Sequence, residues 1–464
     1  MNAPPASDTS PASATPSASA GLINNSGLLN SPALADHVLS ARWFGGKGRE
    51  GRLTALVPLD WYVHDDQLSV RSEIATVTYP DDSAEFYHLL VSYRPVAGPG
   101  QLAETPQGWA HDATQDPEAL KAMVAAVARH GDGAQNWSSM VTHPDLLSGE
   151  VSVFGGEQSN TNLLVGSSSL FKLFRRLESG RNLDIAVHDA LARAGSGSAA
   201  KLYGWLESEA QVPGLGGCDL AMIVERLADA TDGWGLACES ARSGGDFTAD
   251  AAALGRALAE VHRSLADTFP AQRVEGASVA ATMTDRLRRA VVAAPVLEEY
   301  ASDLEALFAG LKGLQLNTQQ THGDFHLGQT LRTPQGWRII DFEGEPMKTI
   351  EERRLPDSKW RDVAGMVRSL GYATSAAEQP GSAEGWLERS TEAFLKAYAP
   401  QPSAEQRRIL TAYTADKAIY EVVYETRNRP TWVDIPLQAL QRLIRTHSSG
   451  PRATDADEPL TERN

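Results

Sequence analysis

The chain has 464 residues and only two cysteines, Cys218 and Cys238. Two thiols cannot form the disulfide framework of a small secreted scaffold, and they fit a reducing compartment. No apolar run reaches the roughly 20 residues of a membrane span. The N-terminus has no basic start followed by an apolar core, so no secretory signal is read there and a cytoplasmic location is expected. Positive charge is in deficit: 42 Lys+Arg against 59 Asp+Glu give a net charge of −17. That disfavours binding to nucleic acid or an anionic membrane through bulk charge. The phosphate-loop pattern G-x-x-x-x-G-K-[ST] is missing, and no internal repeat is found. What remains is an ordinary globular balance, 42% hydrophobic and 22% charged, in a chain long enough for two or three packed units.

The most informative stretch is THGDFHLGQTLRTPQGWRIIDFEGE, residues 321–345. Asp324 follows His322-Gly323, Gln329 lies five residues later, and Asp341 twelve beyond that. Two β-type runs, Thr330–Arg332 and Trp337–Ile340, flank the turn signal Thr333-Pro334-Gln335-Gly336. A hairpin there would bring Gln329 and Asp341 together, as two ligands of one ion must be. Phosphoryl transfer from a nucleotide needs this set: one carboxylate to orient and deprotonate the attacking hydroxyl, and an amide oxygen with a second carboxylate to hold magnesium. Asp324 is therefore the expected catalytic base, and Gln329 and Asp341 the expected metal ligands.

Elsewhere the chain changes character along its length. Residues 2–20 are nearly all Ala, Pro, Ser and Thr and cannot bury a core, so a disordered tail is expected up to residue 35. A short helix is expected at 32–39. Short alternating runs at 53–57, 68–70, 74–79 and 86–93 predict a small antiparallel sheet, and helical spacing follows at 116–131. The stretch ARWFGGKGREG, 41–51, reads as a tight turn with aromatic anchors. Strand-type runs then recur at 151–154, 163–165 and 170–174. Helices are expected at 182–194, 249–265, 279–292, 297–312, 359–371, 384–398, 403–428 and 436–446. That shift from strands to helices is the two-lobe pattern of an α+β fold.

The string at 321–345 resembles the catalytic loop and metal site of the aminoglycoside-phosphotransferase-like kinases, relatives of the protein kinases. HGDFHLGQ with DFEGEP is similar to the actinobacterial maltokinases and their close relatives, the glucosamine kinases, and RWFGGKGR resembles the opening of the maltokinase cap. The resemblance implies an α+β, bilobal, protein-kinase-like fold with an N-terminal β-rich cap, and ATP and Mg2+ as cofactors. It implies a cap over 36–145, a nucleotide-binding lobe over 146–227, a helical lobe over 228–450 and a second tail over 451–464. In such a fold Lys172 pairs with the nucleotide phosphates. The turn EQSNTN, with Gln158, Ser159 and Asn160, covers the phosphates, and the backbone from Glu225 to Leu227 receives the adenine. The family pattern carries Glu where this chain has Ala186, so either Asp184 or Asp189 substitutes as the acid beside Lys172, or another group orients the lysine. Asp362 is expected to brace the catalytic loop and His322 to fix it by hydrogen bonds.

A second stretch, DKAIYEVVYETRNRPTWVDIPL at 416–437, is similar to the maltokinase C-terminal pattern. Tyr420 and Tyr424 are four residues apart, as are Glu421 and Glu425, so each pair shares a helix face. Sugars are bound by aromatic planes with acid and amide acceptors, which makes Tyr420, Glu421, Tyr424 and Trp432 expected sugar contacts, with His326 beside them. The expected activity is ATP-dependent phosphorylation of maltose to maltose 1-phosphate, feeding α-glucan synthesis. The alternative acceptor is glucosamine, giving the 6-phosphate. An aminoglycoside kinase and an inactive nucleotide-binding homologue rank lower. The expected partners are a small sugar and ATP, with no nucleic acid or membrane, in a monomer or weak dimer.

Overall fold

The computed structural model describes residues 26–129, 134–155, 159–345, 348–376 and 380–448. A one-turn helix at Ser26–Leu29 precedes α1, Pro32–Leu39. Ser31 caps α1 by accepting from Leu34 N, and Pro32 starts it, where a missing N–H costs nothing. Leu28, Leu34 and Val38 are fully buried against the first sheet, each contributing roughly 1.5–3 kcal/mol. The N-terminal tail expected as far as residue 35 does not extend over residues 26–35, which form helical segments with Leu28 and Leu34 buried in the cap core. Residues 1–25 and the expected tail at 451–464 lie outside the described residues.

The first sheet is antiparallel and contains β1 (Arg52–Pro58), β2 (Ser69–Thr78), β3 (Ala84–Arg94), β4 (Gln101–Thr105) and β5 (Gly108–Asp112), in the order β1-β2-β3-β5-β4. Helix α2, Pro117–Ala128, is capped by Asp116 and carries Leu120, Met123 and Val127 on its buried face. These side chains share one buried cluster with Val70, Ile74 and Leu90 of the first sheet and Leu163, Phe171 and Ile223 of the second, so one continuous core joins the two sheets. The boundary expected near residue 145 does not coincide with the sheet boundary. Strand β6, Trp137–Val141, already pairs with the second sheet.

The second sheet runs β6-β11-β12-β9-β8-β7, built from β7 (Val151–Val153), β8 (Thr161–Val165), β9 (Ser169–Leu173), β11 (Leu202–Ser208) and β12 (Cys218–Glu225). The two-residue strand β10, Arg176–Leu177, leaves β9 and crosses to pair with β3 of the cap. Helix α3, Leu183–Arg193, packs beneath. The longer helices that follow are α4 (Gly233–Ser243), α5 (Thr248–Thr268), α6 (Gly276–Ala293), α7 (Ala301–Ala309), α8 (Trp360–Ala373), α9 (Pro380–Tyr398), α10 (Ala404–Asn428) and α11 (Asp434–Ser448). Their common core includes Leu258, Phe308, Trp386 and Phe394. A hairpin, β13 (Thr330–Thr333) and β14 (Gly336–Ile339), lies on that helical lobe and faces the sheet lobe. This is the expected bilobal α+β kinase-like architecture with an N-terminal cap. No described helix is long and apolar enough to cross a membrane.

Candidate active site

The hairpin sets the metal-type pair. Thr330 is opposite Ile339, and Ile340 N donates to Gln329 O at 3.0 Å, which closes the ladder one step further. The side chains that follow meet as the spacing required: Gln329 Nε2 donates to Asp341 Oδ2 at 3.0 Å, leaving the amide oxygen free to face an ion. Asp341 has φ +66°, a left-handed conformation that a non-glycine residue adopts at a cost. Gly323 (φ +86°) lies against Gly344, whose Cα would sit 3.2 Å from an added Cβ. Glycine at 323 lets the loop of Asp324 approach the loop after Asp341 this closely.

Asp362 of α8 braces the loop that carries Asp324. It is buried, accepts from His322 N at 2.8 Å and Gly323 N at 2.9 Å, and pairs with His262 Nε2 at 2.9 Å. Burial alone would raise its pKa; the hydrogen bond and charge of His262 lead the effects that lower it. His322 is fully buried, with Nε2 3.0 Å from Ile340 O, and Nδ1 accepts from Asp324 N at 3.3 Å. Both residues hold the loop, as their sequence context suggested. Asp324 then projects toward α10, where Lys417 Nζ donates to its Oδ1 at 3.3 Å. Burial would lower the Lys417 pKa, but Asp324, Glu421 and Glu345 hold it above the ordinary lysine value. His326 Nε2 lies 3.9 Å from Asp324 Oδ2, and burial pushes its pKa down.

On the opposite wall, β9 buries Ser169, Phe171 and Leu173 and turns Lys172 to the other face, following strand alternation. Its ammonium is 2.7 Å from Asp184 Oδ2, 2.9 Å from Asp341 Oδ1 and 2.6 Å from Glu343 Oε1. Burial would depress the Lys172 pKa, but these three carboxylates outweigh it and hold the pKa well above the usual lysine range. Asp184, in the first turn of α3, is the acid that the sequence left unassigned between 184 and 189. Asp189 instead pairs with Arg193 on the surface. Asp184 also accepts from Phe342 N at 3.1 Å, tying α3 to the loop that carries Asp341. Burial alone would raise the Asp184 pKa, but Lys172 and His188 lower it below the carboxylate range. Burial pushes Glu343 upward against the pull of Lys172.

Asp184, Asp341 and Glu343 offer oxygens within 4.8 Å of one another. With the Gln329 amide, this all-oxygen donor set suits a hard divalent cation such as magnesium. Glu343, two residues beyond Asp341, thus joins the expected ligand pair.

The nucleotide-side expectations divide. Asn160 reaches into the cluster, donating from Nδ2 to Glu343 Oε1 at 2.6 Å. Ser159 is exposed, and Gln158 lies outside the described residues. Glu225 donates its N–H to Lys201 O, and Arg226 donates to Ser168 O, each at 2.8 Å. Glu225 is therefore not an available hinge donor, because strand pairing has already used its N–H, and Leu227 is the position left for such a contact.

Along α10 the two faces are sorted opposite to a simple amphipathic expectation. Tyr420 and Tyr424 are 41% and 44% exposed, while Glu421 and Glu425 are buried. Glu421 Oε2 receives Arg368 Nη2 at 2.7 Å and Nε at 2.8 Å. Glu425 receives Arg429 at 2.6 Å and the Tyr372 hydroxyl at 3.1 Å. Glu421 is thus an internal ion-pair partner bracing α10 on α8 rather than an unoccupied acceptor. Trp432 stacks near Tyr372 at 6.4 Å and lies under Arg429. Lys417 was missed, although it opens the same stretch: it lies three residues before Tyr420 and four before Glu421, on the site-facing side of the helix.

Residues 150–344 match the Phosphotransferase enzyme family, and residues 38–116 match the Maltokinase N-terminal cap domain. A glucosamine kinase of Streptacidiphilus jiangxiensis is 28% identical over 356 residues, covering 69% of this chain and 80% of that protein. A glucosamine kinase of Mycolicibacterium smegmatis (strain ATCC 700084 / mc(2)155) is 28% identical over 313 residues, covering 62% and 78%. Among solved structures, a glucosamine kinase in complex with glucosamine, ADP and inorganic phosphate superposes with a TM-score of 0.65 at 22% identity, over 89% of this chain and 99% of that one. The matches fall on the segments that build the cap, the sheet lobe and the paired loops of Asp324 and Asp341: a region matching the Phosphotransferase enzyme family follows one matching the Maltokinase N-terminal cap domain, the make-up of a kinase.

Proposed function

We propose that the protein transfers the γ-phosphoryl group of ATP to a neutral sugar, with maltose as the acceptor and maltose 1-phosphate as the product. The observation that carries the neutral acceptor is the charge state of the wall around Asp324. Lys417 stands 3.3 Å from the base, and the two helix carboxylates nearby are already matched by Arg368 and Arg429. An ammonium-bearing acceptor would find Asp324 already paired with a cation and no unmatched carboxylate on this face of α10. A neutral sugar finds two exposed tyrosine rings and hydrogen-bonding heads.

Asp324 orients the sugar hydroxyl and accepts its proton as the oxygen bonds to the γ-phosphorus. The bond from that phosphorus to the β,γ-bridging oxygen breaks, and ADP leaves. Lys172, held by Asp184, steadies the nucleotide phosphates. Gln329 and Asp341, with Glu343 adjacent, would hold magnesium, which when bound neutralises charge on the phosphate oxygens. Leu227 would meet the base through its backbone. Tyr420 and Tyr424 offer planes for a pyranose ring, and His326 lines the same side. A cytoplasmic setting and a role in α-glucan synthesis follow from that product.

A second reading, glucosamine to its 6-phosphate, is favoured by the relatives named above. Phosphorus NMR of the product tests the two: an anomeric phosphate formed from maltose supports the first, and a 6-phosphate formed only from glucosamine supports the second.

A further inference from the structure

Arg175 lies three residues beyond Lys172, where the chain leaves the sheet lobe for the cap. It is 3% exposed. Its Nη1 donates to His88 O at 3.0 Å, and His88 N donates back to Arg175 O at 2.8 Å, so it is locked to the central cap strand β3 from both directions. Its guanidinium lies 5.2 Å from the ring of Trp43, in the aromatic turn that opens the cap. Toward the active site, Arg175 Nε donates to Thr161 Oγ1 at 2.8 Å and Arg175 N donates to Asn160 Oδ1 at 3.2 Å. Asn160 passes the connection on to Glu343, and Glu343 to Lys172.

We infer that Arg175 is a positioning residue through which the cap sets the phosphate-side loop: Trp43 and His88 fix Arg175, and Arg175 fixes Asn160 and Thr161 over the Lys172–Glu343 pair. A surface decoration would not need a buried guanidinium whose described partners are a hydroxyl, a carbonyl and an indole ring. Burying such a charge is costly unless each donor is used. The cap is then part of the nucleotide site's geometry, although its sheet contributes no residue to the cluster. This inference rests on reading the Lys172 side as the nucleotide site.

The test is calorimetric binding of MgADP to the full-length protein. Thr161→Val removes the hydroxyl that accepts from the charged Arg175 guanidinium, at nearly constant shape, and weakens MgADP by about 10- to 100-fold. Thr161→Ser restores the hydroxyl and recovers wild-type affinity. Arg175→Gln weakens MgADP further, and in turnover raises the KM for ATP while leaving the KM for the sugar within about twofold, a split that general loss of structure would not produce. Equal MgADP affinity in wild type and Thr161→Val would overturn the relay while leaving the nucleotide site standing. No MgADP binding by the wild type would overturn the nucleotide reading and the relay with it. Thr161→Val serves as the decisive variant even if Arg175→Gln fails to fold.

Discussion

Lys417 Nζ lies 3.3 Å from Oδ1 of Asp324, joining residues 93 positions apart in the chain. On the proposed reading, this cation pairs with the proposed base and sets the charge that an acceptor meets. Lys417→Met is expected to lower kcat/KM with a neutral sugar by about 10- to 100-fold, the size of a lost charge-assisted hydrogen bond. The same variant should shift the ratio of glucosamine to maltose turnover toward glucosamine. An unchanged ratio in paired steady-state assays would remove Lys417 from acceptor selection.

Much of this arrangement is legible in the sequence where local chemistry determines it. Gln329 and Asp341 meet because a Thr-Pro-Gln-Gly turn forces a hairpin, and Lys172 faces the site because strands alternate. The partner of Lys172 was not decidable from spacing, since both Asp184 and Asp189 lie on α3 and only the rotation of that helix chooses between them. The outward tyrosines and inward glutamates of α10 were likewise hidden. Their burial depends on Arg368 and Tyr372 of α8, tertiary partners that can make a buried carboxylate tolerable. The early start of the cap at Ser26 rests on burial of Leu28 and Leu34, whose neighbours in sequence look like a tail.

Asp184 joins Lys172, His188 and the backbone of Phe342. Asp184→Ala removes one of the three carboxylates around the Lys172 ammonium and leaves the Phe342 N–H without its acceptor; breaking a buried pair costs up to about 3–5 kcal/mol. Reduced thermal stability together with a large rise in the KM for ATP is the expected outcome. A variant with the wild-type melting temperature and ATP KM would show that Asp184 does not hold Lys172.

His88 couples cap stability to pH. Burial, helped by the positive charge of Arg175, holds its pKa down to about 3, against an ordinary value of 6.5. Between those values the unfolded chain binds a proton that the folded chain does not. Its contribution is therefore intact above pH 6.5 and is lost as the pH falls toward 3, by up to about 1.4 kcal/mol per pH unit. Urea unfolding at pH 7.5 and pH 5.0 should show a drop in wild type that His88→Gln reduces by about 2 kcal/mol. Equal drops in both proteins would assign the acid sensitivity elsewhere.

Tyr420 and Tyr424 expose their rings without contributing to the main core. Replacing either by Ala should change stability by less than about 1 kcal/mol, as for a surface position. The KM for the sugar should rise several-fold, with the KM for ATP unchanged. If the ATP KM moves and the sugar KM does not, the acceptor has been placed on the wrong wall.

The central claim is that Asp324 deprotonates a neutral sugar for attack on ATP. The most direct measurement is ADP release from MgATP with maltose, with glucosamine and with no sugar, comparing wild type with Asp324→Asn. Release is expected to depend on maltose and to fall by roughly 10²–10⁴-fold in the variant, the usual contribution of a general base. Release that depends on glucosamine alone, or that survives the loss of the Asp324 carboxylate, would contradict that claim.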